Sequence, residues 1–511
     1  MKANQMAWML LLFLFSAVVL PLRAETNEVD QKAFADIWAK ADQGDAIAQK
    51  TLGDAYFYAR GEDKDYVKAV KWYRKAAEQN DADSEYNLGM CYHEGFGVTK
   101  DYTEAVKWWL KAGQQNNANA QCYLGVSYQQ GEGVPQDYAE AIKWWRKAVE
   151  QDESQAQFNL GICYYKGEGV PQDYAEAIKW WRKAADQNHA EAQRNLGVSY
   201  QKGFGIEKDE VEAVKWYRKA AEHNDAEAQC YLGDCYHVGK GVAKDETEAA
   251  KWYRKAAEQN VAMAQGNLGV CYLAGRGVTT NSVEGVKWFR KAAEQNYAKA
   301  QCHLGDCYSA GAGVVQDYGE AVNWYRKAAD QNDPQAQSNL GITYLKGLGV
   351  PQDYTESVKW FRMSANQNNA DGQYDLGAAY AEGKGVRQDY VEAVKWFRKA
   401  ADQNHATAQS NLGACYSEGI GVTKDDVEAA NWSRKAAEQN EAVAQLNLGV
   451  IYARGAGVPK DYVEACKWFG LASAQGNEDA KLKLSYVHLE MTPEQIAKSQ
   501  QLARDFKPTK E

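Results

Sequence analysis

Ten cysteines, seven histidines and one Ser-x-x-Lys are the side chains in this chain that could carry a reaction. In Ser199-Tyr200-Gln201-Lys202 the lysine stands where it could activate the serine as the nucleophile of a serine β-lactamase. That chemistry also needs a Lys-Thr-Gly on a strand and a Ser-Asp-Asn, and the sequence contains neither. The histidines are scattered, with no His-x-x-x-His and no Cys-x-x-Cys, so no metal site is expected. Gly-x-Gly recurs eleven times, but each copy follows a helical pattern and reads as a helix terminator, not a phosphate cradle. Cys230/Cys235 and Cys302/Cys307 are each five residues apart, on different sides of one helix, and so cannot bridge. The residues therefore lead to an expectation of no enzyme activity, no cofactor and no metal.

The elements that hold these residues are copies of one unit. Leu-Gly occurs at Leu52, Leu88, Leu124 and every 36 residues thereafter to Leu448, without insertion or deletion. Tyr56 to Tyr452 and Trp72 to Trp468 keep the same step. In the copy from Ala190 to Asn224, Ala192, Leu196 and Tyr200 form the apolar stripe of a first helix, with Gly197 allowing a close neighbour. Gly203 and Gly205 end it. Asp209 caps a second helix, with Glu212 as its expected capping-box partner, and Asn224 closes the unit. Such a helix–turn–helix cannot bury its own faces, so the fold is expected to be all-α: an α-solenoid, a right-handed superhelix of about twelve repeats. The chain partitions into residues 1–24 (signal peptide), 25–44 (leading helix), 45–476 (repeats) and 477–511 (capping helices), with Ile496, Leu502 and Phe506 sealing the end.

The same columns explain the cysteines. Six stand three residues after the Leu, where other copies hold Ala55, Ser127, Ser199, Thr343 and Ala379, so a small packing side chain is what the position asks for. The net charge of −10 has the wrong sign for neutralising phosphates, which argues against a nucleic-acid partner. A mean hydropathy of −0.64 excludes a multi-span membrane protein. Lys2, the apolar run from Met6 to Leu20 and Ala24 read as a secretory signal cleaved after Ala24. The run is too short to span a bilayer, so no transmembrane segment is expected after cleavage, and the chain is expected to be exported, periplasmic or secreted.

The unit, with its Gly95-Phe96-Gly97-Val98 turn and its Lys215-Trp216-Tyr217 run, resembles the Sel-one-like repeat, a relative of the tetratricopeptide repeat. The resemblance covers about residues 30 to 490 and implies a non-enzymatic adaptor that binds a protein or peptide. A cysteine-rich branch of that family, which the chain also resembles, bridges its paired helices, and some of its members are linked to β-lactams. Three residues before the Leu, however, this chain carries Gln, as at Gln193 and Gln229.

Binding is expected where the copies differ while facing one way. The columns two before and five after the Leu are seven residues apart on one helix face. They place Tyr86, His93, Phe158, Tyr165, Arg194, Gln201 and Tyr374 along the side that first helices of related solenoids turn inward. One residue before the Leu, Asn87, Asn159 and Asn195 present amides that could hold an extended peptide backbone or join neighbouring helices. Aromatic faces would also suit cell-wall (peptidoglycan) fragments. The partner's identity and the oligomeric state are not written in the sequence.

Overall fold

The structure, a computed structural model, describes residues 28–58 and 64–509. The segment read as a signal peptide lies outside the described residues. Among the described residues there are 27 α-helices and no strand. They fall into two compact units, one ending at Asp245 and one beginning at Glu246.

The fifth repeat shows why the sequence folds this way. Its first helix runs Ala190–Lys202 and its second Glu210–Glu222. Ala192 and Leu196 are wholly buried, against Ala184, Ala185 and Trp181 of the preceding second helix and Trp216 of their own. Each buried Leu of this kind contributes about 2 kcal/mol by removal from water. Gly197 has no side chain because Tyr217 lies on it: a Cβ there would stand 2.5 Å from the ring. Gly203 and Gly205 take left-handed conformations (φ 77° and 67°), and the Gly203 amide donates to the Ser199 carbonyl at 2.8 Å. Asp209 then accepts from the amides of Val211 and Glu212, both at 2.9 Å. Asn224, at φ 65°, turns the chain toward the next repeat.

One expectation about the caps is corrected. Glu212 does not reach back to the cap residue; its carboxylate accepts from Lys215 at 2.8 Å. A full capping box forms at Thr492, whose hydroxyl accepts from the Gln495 amide while the Gln495 side chain accepts from the Thr492 amide.

In the first unit a leading helix, Glu28–Asp42, precedes the first repeat and sets Trp38 edge-on against Trp72, with ring centroids 5.9 Å apart. In the second unit two helices, Glu478–His488 and Pro493–Asp505, follow the last repeat and pack on its second helix, Tyr462–Ala474. Phe506 lies edge-on to Trp468 at 5.5 Å, the sealing contact expected of it. No helix among the described residues is long and apolar enough to cross a membrane.

Candidate partner-binding face

Two sets of polar contacts join successive repeats, a third lies within each second helix, and together they decide which side chains are left for a partner. The buried glutamines three before the Leu form a ladder: Gln193 donates to the Ala185 carbonyl at 3.1 Å, and Gln187 donates to Gln157 at 3.0 Å. An arginine of one second helix donates to the column tyrosine of the next repeat, as Arg182 does to Tyr200 (2.8 Å) and Arg326 to Tyr344 (2.7 Å). A lysine lies over the column tryptophan of its own helix, as Lys219 over Trp216 at 4.1 Å from the ring centroid. The Lys-Trp-Tyr-Arg-Lys run, which on its own reads as a solvated face, is thus in good part stapled to neighbouring aromatics.

The chemistry-bearing residues serve the same packing. Ser199 is buried, and its hydroxyl donates to the Asn195 carbonyl at 2.8 Å, the bond of a helix serine rather than of a nucleophile. All ten cysteines are free, and all but the half-buried Cys415 are buried. Burial pushes the thiols up, to about 12 at Cys91 and Cys163, away from thiolate chemistry. Among the described residues no group of three or more His, Cys, Asp or Glu side chains is placed to hold a metal ion.

The column two before the Leu varies for a reason the sequence reading missed. In four repeats it packs against the residue at the start of the next first helix, 31 positions on. Phe158 is 9% exposed under the His189 ring, stacked at 4.8 Å. Tyr374 stacks on His405 at 4.9 Å, and Arg194 pairs with Asp225 at 2.9 Å and Glu227 at 3.1 Å. Gly266 makes room for Tyr297, whose ring would come within 3.0 Å of a Cβ there. In these four pairs the two residues are matched in size or charge across the boundary between repeats. The caps themselves show how: Asp225 accepts from the Ala228 amide at 2.7 Å, and His405 from the Ala408 amide at 3.1 Å.

The other expected site residues divide in the same way. Tyr165 is packed by Tyr174 (5.2 Å), Trp181 (5.5 Å) and Phe204 (6.2 Å). Gln201 accepts from the Tyr217 hydroxyl at 3.0 Å. Asn87 donates to Asp54 of the preceding repeat at 3.4 Å, the inter-helix role that an amide there can play. Asn159 accepts from Gln155 in its own helix at 3.1 Å, and Asn195 is half-buried.

What the fold does assemble is an aromatic cluster across the second and third repeats. Tyr86 lies 5.8 Å from Tyr123, Tyr123 5.1 Å from Trp109, and Trp109 5.4 Å from His93, which also meets Tyr102 at 5.1 Å. The Trp109 indole donates to the Tyr86 carbonyl at 3.2 Å, fixing the ring. His93 sits between the carboxylates of Glu94 and Glu132, the latter at 3.4 Å, and its contact holds Glu94 below the usual carboxylate range. Burial raises the Tyr86 phenol well above its ordinary value and Tyr123 to about 12, so both remain hydroxyl donors at any physiological pH. Tyr123 is the member that column reasoning did not find, because it stands in the Asn column, where only its departure from Asn marks it.

The fold and its repeat-joining contacts define a class, a tandem helical repeat of the tetratricopeptide-like kind. The Sel1 repeat model matches twelve consecutive segments, from residues 46–81 to residues 442–477, and the chain belongs to the Sel1 repeat family. Among solved structures it is similar to c5321, described as a protective antigen present in uropathogenic Escherichia coli strains and displaying an SLR fold. The two share 36% identity over 93% of this chain and 94% of that one, with a TM-score of 0.60. A Sel1 repeat protein from Oxalobacter formigenes is 30% identical over 65% of this chain and 97% of its own, with a TM-score of 0.47. No protein with a curated description matches the chain. Sel1 repeats are in general scaffolds for protein interaction.

Proposed function

We propose that the protein is an exported, non-catalytic scaffold that binds a protein or peptide along its first-helix face, centred on the second and third repeats. The observation that carries this reading is the Tyr86–Tyr123–Trp109–His93 cluster, beside the amide of Asn87. Large amphipathic rings offer contact area at low entropic cost, and their hydroxyls can hydrogen-bond a backbone. Phe158, Arg194 and Tyr374 are engaged by the cap of the following repeat, whereas Tyr86 and Tyr123 are half-buried rings packed on each other and on the buried Trp109, so the reading centres on repeats two and three. Export is supported by the charged start, apolar run and Ala24 of the N-terminus, and by the antigen description of the relative. N-terminal sequencing of the mature protein tests it, with Glu25 as the expected first residue. Recovery of partners from cell-envelope extract by the wild type and by a Tyr86→Ser/Tyr123→Ser variant tests the site. The variant should lose the partner while keeping its helical circular dichroism; undiminished recovery refutes the assignment.

A further inference from the structure

The glutamine ladder has one rung of a different kind. The column three before the Leu is Gln in eleven repeats and Glu85 in the second. In the rungs on either side, Gln49 and Gln121 use both ends of the amide. Their Nε2 atoms donate to the Ala41 and Gly113 carbonyls, eight residues back and both at 3.0 Å. Their Oε1 atoms accept from Gln79 at 2.8 Å and Gln151 at 3.1 Å, each 30 residues on. Glu85 is wholly buried and keeps the second of these bonds: its Oε2 accepts from Gln115, also 30 residues on, at 2.6 Å. That leaves Oε1 in the place of the amide nitrogen, on the side of the Ala77 carbonyl eight residues back. Oε1 is buried, and no donor reaches it among the described residues.

A carboxylate in that place would set one acceptor against another and leave a buried charge unsatisfied. A carboxylic acid has the shape of the amide, with an O–H where the amide carries its N–H. We propose that Glu85 holds a proton in the folded protein, donates through it to the Ala77 carbonyl, and makes the junction of the first two repeats a proton lock that loosens as pH rises. Two charged groups act on Glu85. Lys111, from the following second helix, Tyr102–Gln114, favours the carboxylate, but its ammonium lies over the Trp108 ring at 4.1 Å. Asp81, the cap of the helix that carries Glu85, opposes it. The preceding second helix, Tyr66–Ala77, ends in the buried Ala76 and Ala77. Burial outweighs Lys111 and the Gln115 hydrogen bond and raises the carboxyl above its ordinary value. A carboxyl whose folded pKa lies above its unfolded one, about 4.3, stabilises below that value, and the contribution is lost as pH rises through the folded one. The lock thus joins Ala82–Glu94, which carries Tyr86 and His93, to the second helices on both sides.

Infrared difference spectra of the wild type against Glu85→Gln, which restores the residue of the other repeats, test the proton directly. At about pH 6, where an ordinary glutamate is ionised, the difference should contain the carbonyl band of one protonated carboxylic acid. The band should vanish on titration to alkaline pH, and other buried carboxyls such as Asp375 cancel in the difference. The protection factors of the Ala82–Glu94 amides should fall over the same range, by about tenfold for each pH unit by which folding raises the pKa. Glu85→Gln should hold them constant, and Gln121→Glu should transfer the pH dependence to the helix Ala118–Gln130. None of these readouts needs a partner, so they stand apart from the reading of the aromatic cluster as a binding site. Absence of the acid band at about pH 6 overturns the proposal. So does protection in Ala82–Glu94 that changes with pH alike in the wild type and Glu85→Gln.

Discussion

Phe158 and His189 stack across a repeat boundary with ring centroids 4.8 Å apart and planes 20° from parallel. His189 also caps the helix that follows: its Nδ1 faces the Ala192 amide at 3.4 Å and its Nε2 faces Gln155 at 3.1 Å. One imidazole thus closes a helix, covers a phenyl ring and reaches the preceding repeat. A double-mutant cycle with Phe158→Ala and His189→Asn measures the pair. Asparagine keeps the cap, as Asn117 and Asn369 do in other repeats. Phe158→Ala should cost about 3 kcal/mol, and the coupling in urea unfolding should be about 0.5–1.5 kcal/mol.

Acid should loosen the same boundary. Burial, and then the nearby Arg194 charge, lower His189 from its ordinary value to about 4, outweighing the Glu191 carboxyl 3.1 Å from Nδ1. A histidine whose folded pKa lies below its unfolded one lends stability above the unfolded value, near 6.5, and loses it as pH falls toward 4. The loss is on the order of 2–3 kcal/mol. The protection factors of the Ala190–Lys202 helix amides, which correct for the slowing of intrinsic exchange in acid, should therefore fall between pH 6.5 and 4.5, and His189→Asn should flatten the response.

Asp375 should behave in the opposite sense. It occupies the position that is Asn in seven other repeats, and it accepts from the Ser338 hydroxyl at 2.8 Å. Burial raises it to about 6, so the fold holds its proton more tightly than the unfolded chain does. That term stabilises below the unfolded value, near 4, and is lost as pH rises through 6. Asp375→Asn should raise stability at pH 7.5 by about 1–2 kcal/mol and leave it unchanged at pH 4, as read from melting temperatures at the two pH values.

Alanine for glycine in a helix interior ordinarily gains up to about 1 kcal/mol. Gly197→Ala should instead lose about 2–3 kcal/mol, because the new methyl meets the buried ring of Tyr217. Gly470, with nothing within 4 Å of its Cβ position, should show the ordinary gain when changed to alanine.

The period of 36, the glycine terminators, the left-handed asparagines and the aspartate caps were all legible in the sequence, because each depends on residues close together in the chain. The pairing of Phe158 with His189 was not. It couples positions 31 apart in different units of the pattern, and a column that varies looks the same whether it faces a ligand or a neighbouring repeat. The His189 and His405 caps were missed because histidine is an uncommon cap. Tyr123 was missed because the Asn column was read for what it shared. The glutamine column was noted only as a departure from cysteine, although its amides tie each first helix to the second helix before it.

The central claim is that a partner engages the cluster of repeats two and three and not the paired columns elsewhere. Recovery of envelope proteins by a variant of the half-buried cluster tyrosines and by one of exposed second-helix residues tests it most directly. Tyr86→Ser/Tyr123→Ser alters the cluster, whereas Val211→Lys/Val391→Lys alters second-helix positions that are each 55% exposed. The account predicts loss of the partner with the first variant and full recovery with the second. Loss with the second and retention with the first would contradict it.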